Sequence, residues 1–391
     1  MYKPTWQIYI NNSIAFILFS ILNLLFRRNT KKSNKILFIN TGQIGDLIVS
    51  SVIFTNEKLL TKKYKVSLLI RERYLELYDD YKGDITIIPW NYSKYKYNLF
   101  YRRSFLRFLH KQGFDLCVNV TAARGITNDE IALLSGAGNV MCLNNNWKYL
   151  TKLFGKRMDS YYDKILSFDT INEPERNKRL LEYILGEQVS PFTSIFLSAS
   201  TKTNAFRKIT ENKSQTSDRL NIIAIAPFSD ELIKNWPIEH YKELVSQIVN
   251  EENVIIIALG TILQREKIQS IVAINDRKII NMAGRLSLLE SSAVIANADL
   301  FIGNDSGLTH IAKALQKNTI GIIGGGGFGF FFPYNSSNRE YLFYHQLDCF
   351  GCEWRCHLDK SYCLANVSVD AVYKAVQNCL TIDRQNTHET P

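Results

Sequence analysis

Ile36-Leu-Phe-Ile-Asn-Thr-Gly-Gln-Ile-Gly-Asp-Leu47 decides the fold. An apolar run this short, bounded by polar and turn residues, is the pattern of a strand buried on both faces. Gly42 and Gly45 let the backbone turn tightly, and a helical pattern then runs over 47–60. Strand, glycine turn and helix in succession make the βα half of a βαβ unit. The rhythm continues, with strands expected at 66–70, 85–88, 115–120 and 140–143 and helices at 98–111 and 176–185.

A second series predicts strands at 222–226, 254–259, 278–280, 300–302 and 319–323, alternating with helices at 238–250, 263–274, 287–296 and 308–315. The fold class is therefore α/β, with two Rossmann-like domains expected to face each other across a cleft. Between them 198–219 is rich in Ser, Thr, Asn and Lys without a strong apolar period, and reads as a linker or long surface loop. The expected divisions are 1–32, 33–197, 198–219, 220–345 and 346–391.

Composition agrees. The chain has 391 residues, 46% hydrophobic and 21% charged, enough for two or three cored domains and unlike a disordered polyelectrolyte. Its net charge is +10, and Lys3, Arg27, Arg28, Lys31, Lys32 and Lys35 precede the first acidic residue, Asp46. That cluster follows the apolar stretch 14–26, which is short for a membrane span. The preferred reading of 1–32 is an interfacial helix whose cations meet an anionic membrane surface. A short span and a helix buried in the protein's own core are the other readings. Nucleic acid is disfavoured as a partner, because the charge is concentrated beside an apolar helix.

Ligands of open α/β sheets lie at the carboxyl ends of the strands. Three segments there carry candidate chemistry. In the first, Gly42-Gln-Ile-Gly-Asp46, Asp46 falls at a helix N-terminus, where an acid serves either catalysis or the helix dipole. The dinucleotide fingerprint fails, because Ile44 and Leu47 stand where glycines are needed. In the second, Asn304-Asp-Ser-Gly-Leu-Thr-His310, the first-turn N–H groups and the Ser306 and Thr309 hydroxyls suit a phosphate, with Asp305 toward a sugar and His310 one turn in. Capping by Asp305 or Ser306 is compatible with that role. The third runs from Pro227 and Ser229 to Lys234, Trp236 and Pro237, and offers a lysine to a leaving diphosphate.

Read together, "GQIGD", "APFSDELIKNWPIEHYKEL" and "NMAGRLSLLESSAVIANADLFIGNDSGLTHIAKAL" resemble glycosyltransferase family 9, the ADP-heptose:lipopolysaccharide heptosyltransferase group. The resemblance implies a GT-B architecture, inverting chemistry, no cofactor for catalysis and a nucleotide-diphosphate sugar donor. It implies Asp46 as general base, Lys234, Ser306, Gly307 and His310 on the departing diphosphate, and Asp305 and Met282 near the sugar-nucleotide. Ser229 and Thr309 complete the expected donor set, and Gly45, Thr121 and Arg124 form a weaker acceptor set. The implied acceptor is a lipid-linked saccharide at the cytoplasmic face of the inner membrane. Another sugar and acceptor, as in O-antigen or capsule assembly, and a catalytically silent sugar-nucleotide-binding module are the alternatives. The chain departs from the family in its glycine run at 324–327, read either as adapted to phosphate or as flexible loop.

Four of seven cysteines, Cys349, Cys352, Cys356 and Cys363, fall close together. Such density favours a structural Zn²⁺ site, with an iron–sulfur cluster, disulfides or no metal as alternatives.

Overall fold

A computed structural model describes residues 6–26, 28, 32–144, 152–170, 172–210, 220–334 and 340–386. The chain divides into two compact units, Met1–Phe192 and Thr193–Pro391. In the first, strands β1 (Lys35–Ile39), β2 (Lys65–Arg71), β3 (Thr86–Trp90), β4 (Leu116–Asn119), β5 (Asn139–Leu143) and β6 (Lys164–Leu166) form one sheet in the order β3-β2-β1-β4-β5-β6. In the second, β7 (Asn221–Ala226), β8 (Val254–Ala258), β9 (Ile279–Asn281), β10 (Leu300–Asn304), β11 (Asn318–Ile322) and β12 (Glu340–Phe343) form another in the order β12-β11-β10-β7-β8-β9. Every pairing is parallel. Each unit is thus Rossmann-like, and β7 and β8 are buried along their whole length, as continuous aliphatic runs require.

The helices that matter below are α1 (Trp6–Asn23), α2 (Ile44–Val49), α3 (Leu99–Gln112), α4 (Ile126–Leu133), α5 (Glu173–Leu185), α6 (Ala199–Thr210), α7 (Ile238–Ile248), α8 (Leu288–Asn297), α9 (Gly307–Ala314) and α10 (Val369–Asn386). The helix expected over 47–60 is three short helices, Ile44–Val49, Val52–Thr55 and Glu57–Lys63. Ser50 and Ser51 hydroxyls donate back to the Leu47 and Ile48 carbonyls at the first break, and Asn56 Nδ2 donates to the Val52 carbonyl at the second.

Three expectations about organisation need correction. The linker is in large part helix α6, which packs on α8 through buried Ala205 and Ile209, while 211–219 lies outside the described residues. Its apolar stripe is too narrow to show among so many polar residues. The cysteine-bearing segment is no separate tail, since Leu347, Phe350 and Trp354 pack against the second unit's core and α10 contributes Val372, Val376 and Cys379 to it. Third, 1–32 is no separate segment, because α1 packs one side into the first unit: Phe19 is fully buried among β1, β2 and α3 residues, with Phe16, Leu22 and Phe26 against the same core. Among the described residues no helix is long and apolar enough to cross a membrane.

Two cations of the basic cluster differ from the expectation. Arg28 pairs with Asp163 at 2.5 Å and donates to the Tyr161 carbonyl, and Lys35 donates to the Gln112 carbonyl at 2.7 Å. These cations are held by the protein itself. Lys3, Arg27 and Lys31 lie outside the described residues.

Candidate active site

A parallel sheet opens a crevice where its strand order reverses. In the first unit that point lies between β1 and β4, where the loops 40–43 and 120–125 emerge. Asn40, fully buried, braces the first loop: its Nδ2 donates to the Asp46 carbonyl and to Ser50 Oγ, and its Oδ1 accepts from the Gly42 N–H at 2.9 Å. Asp46 is the third residue of α2, half-buried, and its Oδ2 accepts from the Gln43 N–H at 2.6 Å. A Cβ on Gly42 would fall 2.4 Å from that same oxygen, so the glycine makes room for the carboxylate. Asp46 thus caps the N-terminus of α2, a contact the sequence did not predict, and this aims the carboxylate at the loop.

Two arginines at the end of β2 flank this loop, which the sequence did not single out. Arg71 Nε donates to the Thr41 carbonyl, and Arg73 and Tyr74 both donate to Gln43 Oε1. Burial and neighbouring Arg73 lower the Arg71 pKa, while Asp46 among others raises it. A second carboxyl joins them: Glu173, fully buried at the start of α5, is pushed up to about 7 by burial, against the pull of Arg176 and with a further push from Asp46. The signal for these residues was their place at strand and helix ends, legible only once the strand order was known.

The weak acceptor set separates. Gly45 lies in α2 itself, and the buried Thr121 hydroxyl accepts from the Thr41 N–H at 3.1 Å, joining the two loops. Arg124, placed in the weaker acceptor set, is 1% exposed and pairs with Asp129 and Asp159 at 2.9 Å over the Tyr162 ring. It is a structural cation, because its charge is already matched where water is excluded.

In the second unit the order reverses between β7 and β10. The loop after β7 carries Ser229 and Lys234, and the loop after β10 carries Asp305 and Ser306. Asn304 ties them: its Oδ1 accepts from the Trp236 N–H and the Tyr241 hydroxyl, and its Nδ2 donates to the Pro227 carbonyl at 2.7 Å. Ser229 is occupied locally, its N–H and hydroxyl both donating to Asn235 Oδ1. Lys234 ends a short 3-10 turn with Nζ 3.8 Å from Glu231 and 5.1 Å from the Trp354 ring centre. Its charge reaches Asp305, whose pKa burial raises and Lys234 pulls back.

Ser306 stands at the N-cap of α9 with extended backbone and makes no side-chain capping bond. The expected cap is therefore absent, and the Gly307 end of α9 keeps the polarity that favours an anion. Thr309 is buried, its hydroxyl donating to the Asn304 carbonyl, so it holds the loop. His310 is buried with Nδ1 3.0 Å from the Tyr334 hydroxyl and its ring stacked on Phe332 at 4.4 Å. Burial, with Lys313 and Lys234, drives its pKa down to about 3, so it is a neutral imidazole and no cation for a diphosphate. Met282, 7% exposed, follows β9, its N–H donating to the Ala258 carbonyl at 2.9 Å.

The glycine run is packed against the cysteine-bearing segment. A Cβ on Gly326 would lie 2.7 Å from the Trp354 backbone nitrogen, and the Gly351 and Glu353 N–H groups donate to the Gly325 and Gly326 carbonyls. These glycines admit the cysteine-bearing segment. All four cysteines, as free thiols, line one cavity of about 10 Å³ beside Gly325 and Trp354. Thiols are donors for a soft metal ion, but among the described residues no group of three or more His, Cys, Asp or Glu stands in a metal-holding arrangement, so the expected Zn²⁺ site is not formed as the side chains stand.

Residues 176–355 match the family model described as glycosyltransferase family 9 (heptosyltransferase). Lipopolysaccharide heptosyltransferase 2 of Salmonella typhimurium is 33% identical over 95 residues, 23% of this chain and 27% of that protein. The aligned segment thus spans about a quarter of that relative's length. The solved E. coli ADP-heptose lps heptosyltransferase II superposes with a TM-score of 0.66 at 17% identity, over 90% of this chain and 99% of that one. A glycosyl transferase family 9 structure from Veillonella parvula gives 0.70 at 17% identity, over 90% and 98%. With two Rossmann-like units the chain has the α/β fold of these structures, and over residues 176–355 it is similar to glycosyltransferase family 9 (heptosyltransferase).

Proposed function

We propose that the chain is an inverting glycosyltransferase that moves heptose from ADP-heptose to a lipopolysaccharide-core or other lipid-linked saccharide. The observation that carries this reading is the pairing of chemistry with topology: Asp46 at one switch point, Lys234 and the uncapped start of α9 at the other. Asp46 takes the proton from the acceptor hydroxyl as its oxygen forms the new bond to the anomeric carbon. The bond from that carbon to the diphosphate breaks, and the electron pair leaves on the phosphate oxygen. Lys234 and the α9 N-terminus stabilise the charge that develops there. Asp305 and Met282 position the sugar-nucleotide, and neutral His310 serves by hydrogen bonding and shape.

Catalysis itself uses no cofactor in this reading, and a structural metal ion, with zinc the first candidate, would draw the four thiols closer than the arrangement described above. The enzyme works as a peripheral protein at the cytoplasmic face of the inner membrane. Melting of the purified chain against a panel of nucleotide sugars tests the donor: a shift with ADP-heptose above the others is expected, and no shift with any sugar contradicts the reading. Metal analysis of the same preparation is expected to give about one ion per chain, held by four thiolates; metal-free protein with unchanged melting contradicts the structural site.

A further inference from the structure

α1 is apolar around most of its circumference, yet only one side meets the protein. Phe16, Phe19 and Phe26 face inward, with Phe16 on Phe154, Phe19 on Tyr161 and Phe26 on His110. On the opposite side Ile10, Ile14, Ile17, Ile21 and Leu24 are each more than half exposed. Within α1 the spacing of four, three and four residues is that of a single helical stripe, and Leu24 follows just past its end. Aliphatic residues scattered singly on a surface need no explanation, but a continuous row does.

The row ends beside a cationic face of α3. Leu25 and Phe26 share an open groove of about 380 Å³ with Arg103, Arg107, His110 and Lys111. Phe100, 90% exposed, and Phe108 stand on the same face of α3. Neither helix contains an acidic residue. Aliphatic and aromatic side chains bordered by cations, with no acid on either helix, match the boundary between phosphate headgroups and acyl chains.

We propose that the outer stripe of α1 and the cationic face of α3 form one platform that docks the first unit on an anionic phospholipid bilayer. The α1 aliphatics enter the acyl boundary, and Arg103, Arg107 and Lys111 meet lipid phosphates. Because the inner face of α1 is packed into the core, docking fixes the orientation of the whole unit to the bilayer plane. The proposal rests on the membrane reading above, and replaces the cluster following α1 with α3 as the source of cations.

The full chain is mixed with vesicles of phosphatidylcholine alone or with about one third phosphatidylglycerol and floated on a gradient. Binding to the anionic vesicles is expected, weakened on the order of 100-fold by Arg103→Glu/Arg107→Glu/Lys111→Glu, about fivefold per cation. Ile14→Asn/Ile17→Asn/Ile21→Asn, at exposed positions, abolishes binding to either vesicle. Circular dichroism and the nucleotide-sugar melting shift, read on the same variants, are expected to match the parent chain. A parent chain that stays unbound, or variants that bind like it, overturns the platform; with the melting shift retained, the glycosyltransferase reading stands. A dimer in solution that Ile14→Asn/Ile17→Asn/Ile21→Asn dissociates, without vesicle binding, assigns the stripe to a second copy and also overturns it.

Discussion

Asn304 Oδ1 accepts a hydrogen bond from the Trp236 N–H at 3.2 Å, fastening the end of β10 to the loop that carries Lys234. The same amide holds the Pro227 carbonyl and the Tyr241 hydroxyl. Its removal leaves buried donors and acceptors unpaired, at a cost of about 1–3 kcal/mol each. Asn304→Ala is therefore expected to lower the stability of the second unit by about 2 kcal/mol or more. It should also weaken donor binding, since the Lys234 loop loses its anchor. Denaturant unfolding alongside donor titration checks both effects; unchanged stability contradicts the bracing role.

Lys234→Met keeps the length of the side chain and its contact with Trp354 while removing the charge. Loss of one group that stabilises transition-state charge costs roughly 10²–10³ in kcat. The measurement is the steady-state rate at saturating donor. A variant that loses only donor affinity would assign Lys234 to ground-state binding.

Two of the perturbed buried groups, Glu173 and His310, give opposite pH dependence. Glu173 titrates near 7 in the folded chain against an ordinary 4.5, so the folded state binds more protons between those values. Its contribution is present below about 4.5 and is lost as pH rises through about 7. His310, held neutral down to about 3 against an ordinary 6.5, gives stability that is present above about 6.5 and lost as pH falls toward 3. Glu173→Gln should remove the downward slope between pH 5 and 7 and leave the His310 slope exposed. Melting temperatures across that interval test this, and superimposable profiles for parent and variant contradict it.

The two sheets were readable because their central strands are aliphatic runs ended by turn residues, as in Ile36–Ile39 and Ile222–Ala226. The short edge strands β6 and β12 were not, because three or four residues of mixed or partial burial lack such a run. Asp46 and Lys234 were legible as strand-end residues. Arg124 was misread because its partners Asp129 and Asp159 come from α4 and the helix Lys152–Asp159, and an ion pair leaves no local pattern. The glycine run shows the same limit: what it accommodates is Trp354, which only tertiary packing brings there.

The central claim, sugar transfer with Asp46 as base, is tested most directly by comparing the parent chain with Asp46→Asn using ADP-heptose and a lipid-linked acceptor. The account predicts transfer by the parent, a rate lower by about 10²–10⁴ in the variant, and the same donor affinity in both. Undiminished transfer by Asp46→Asn would contradict it.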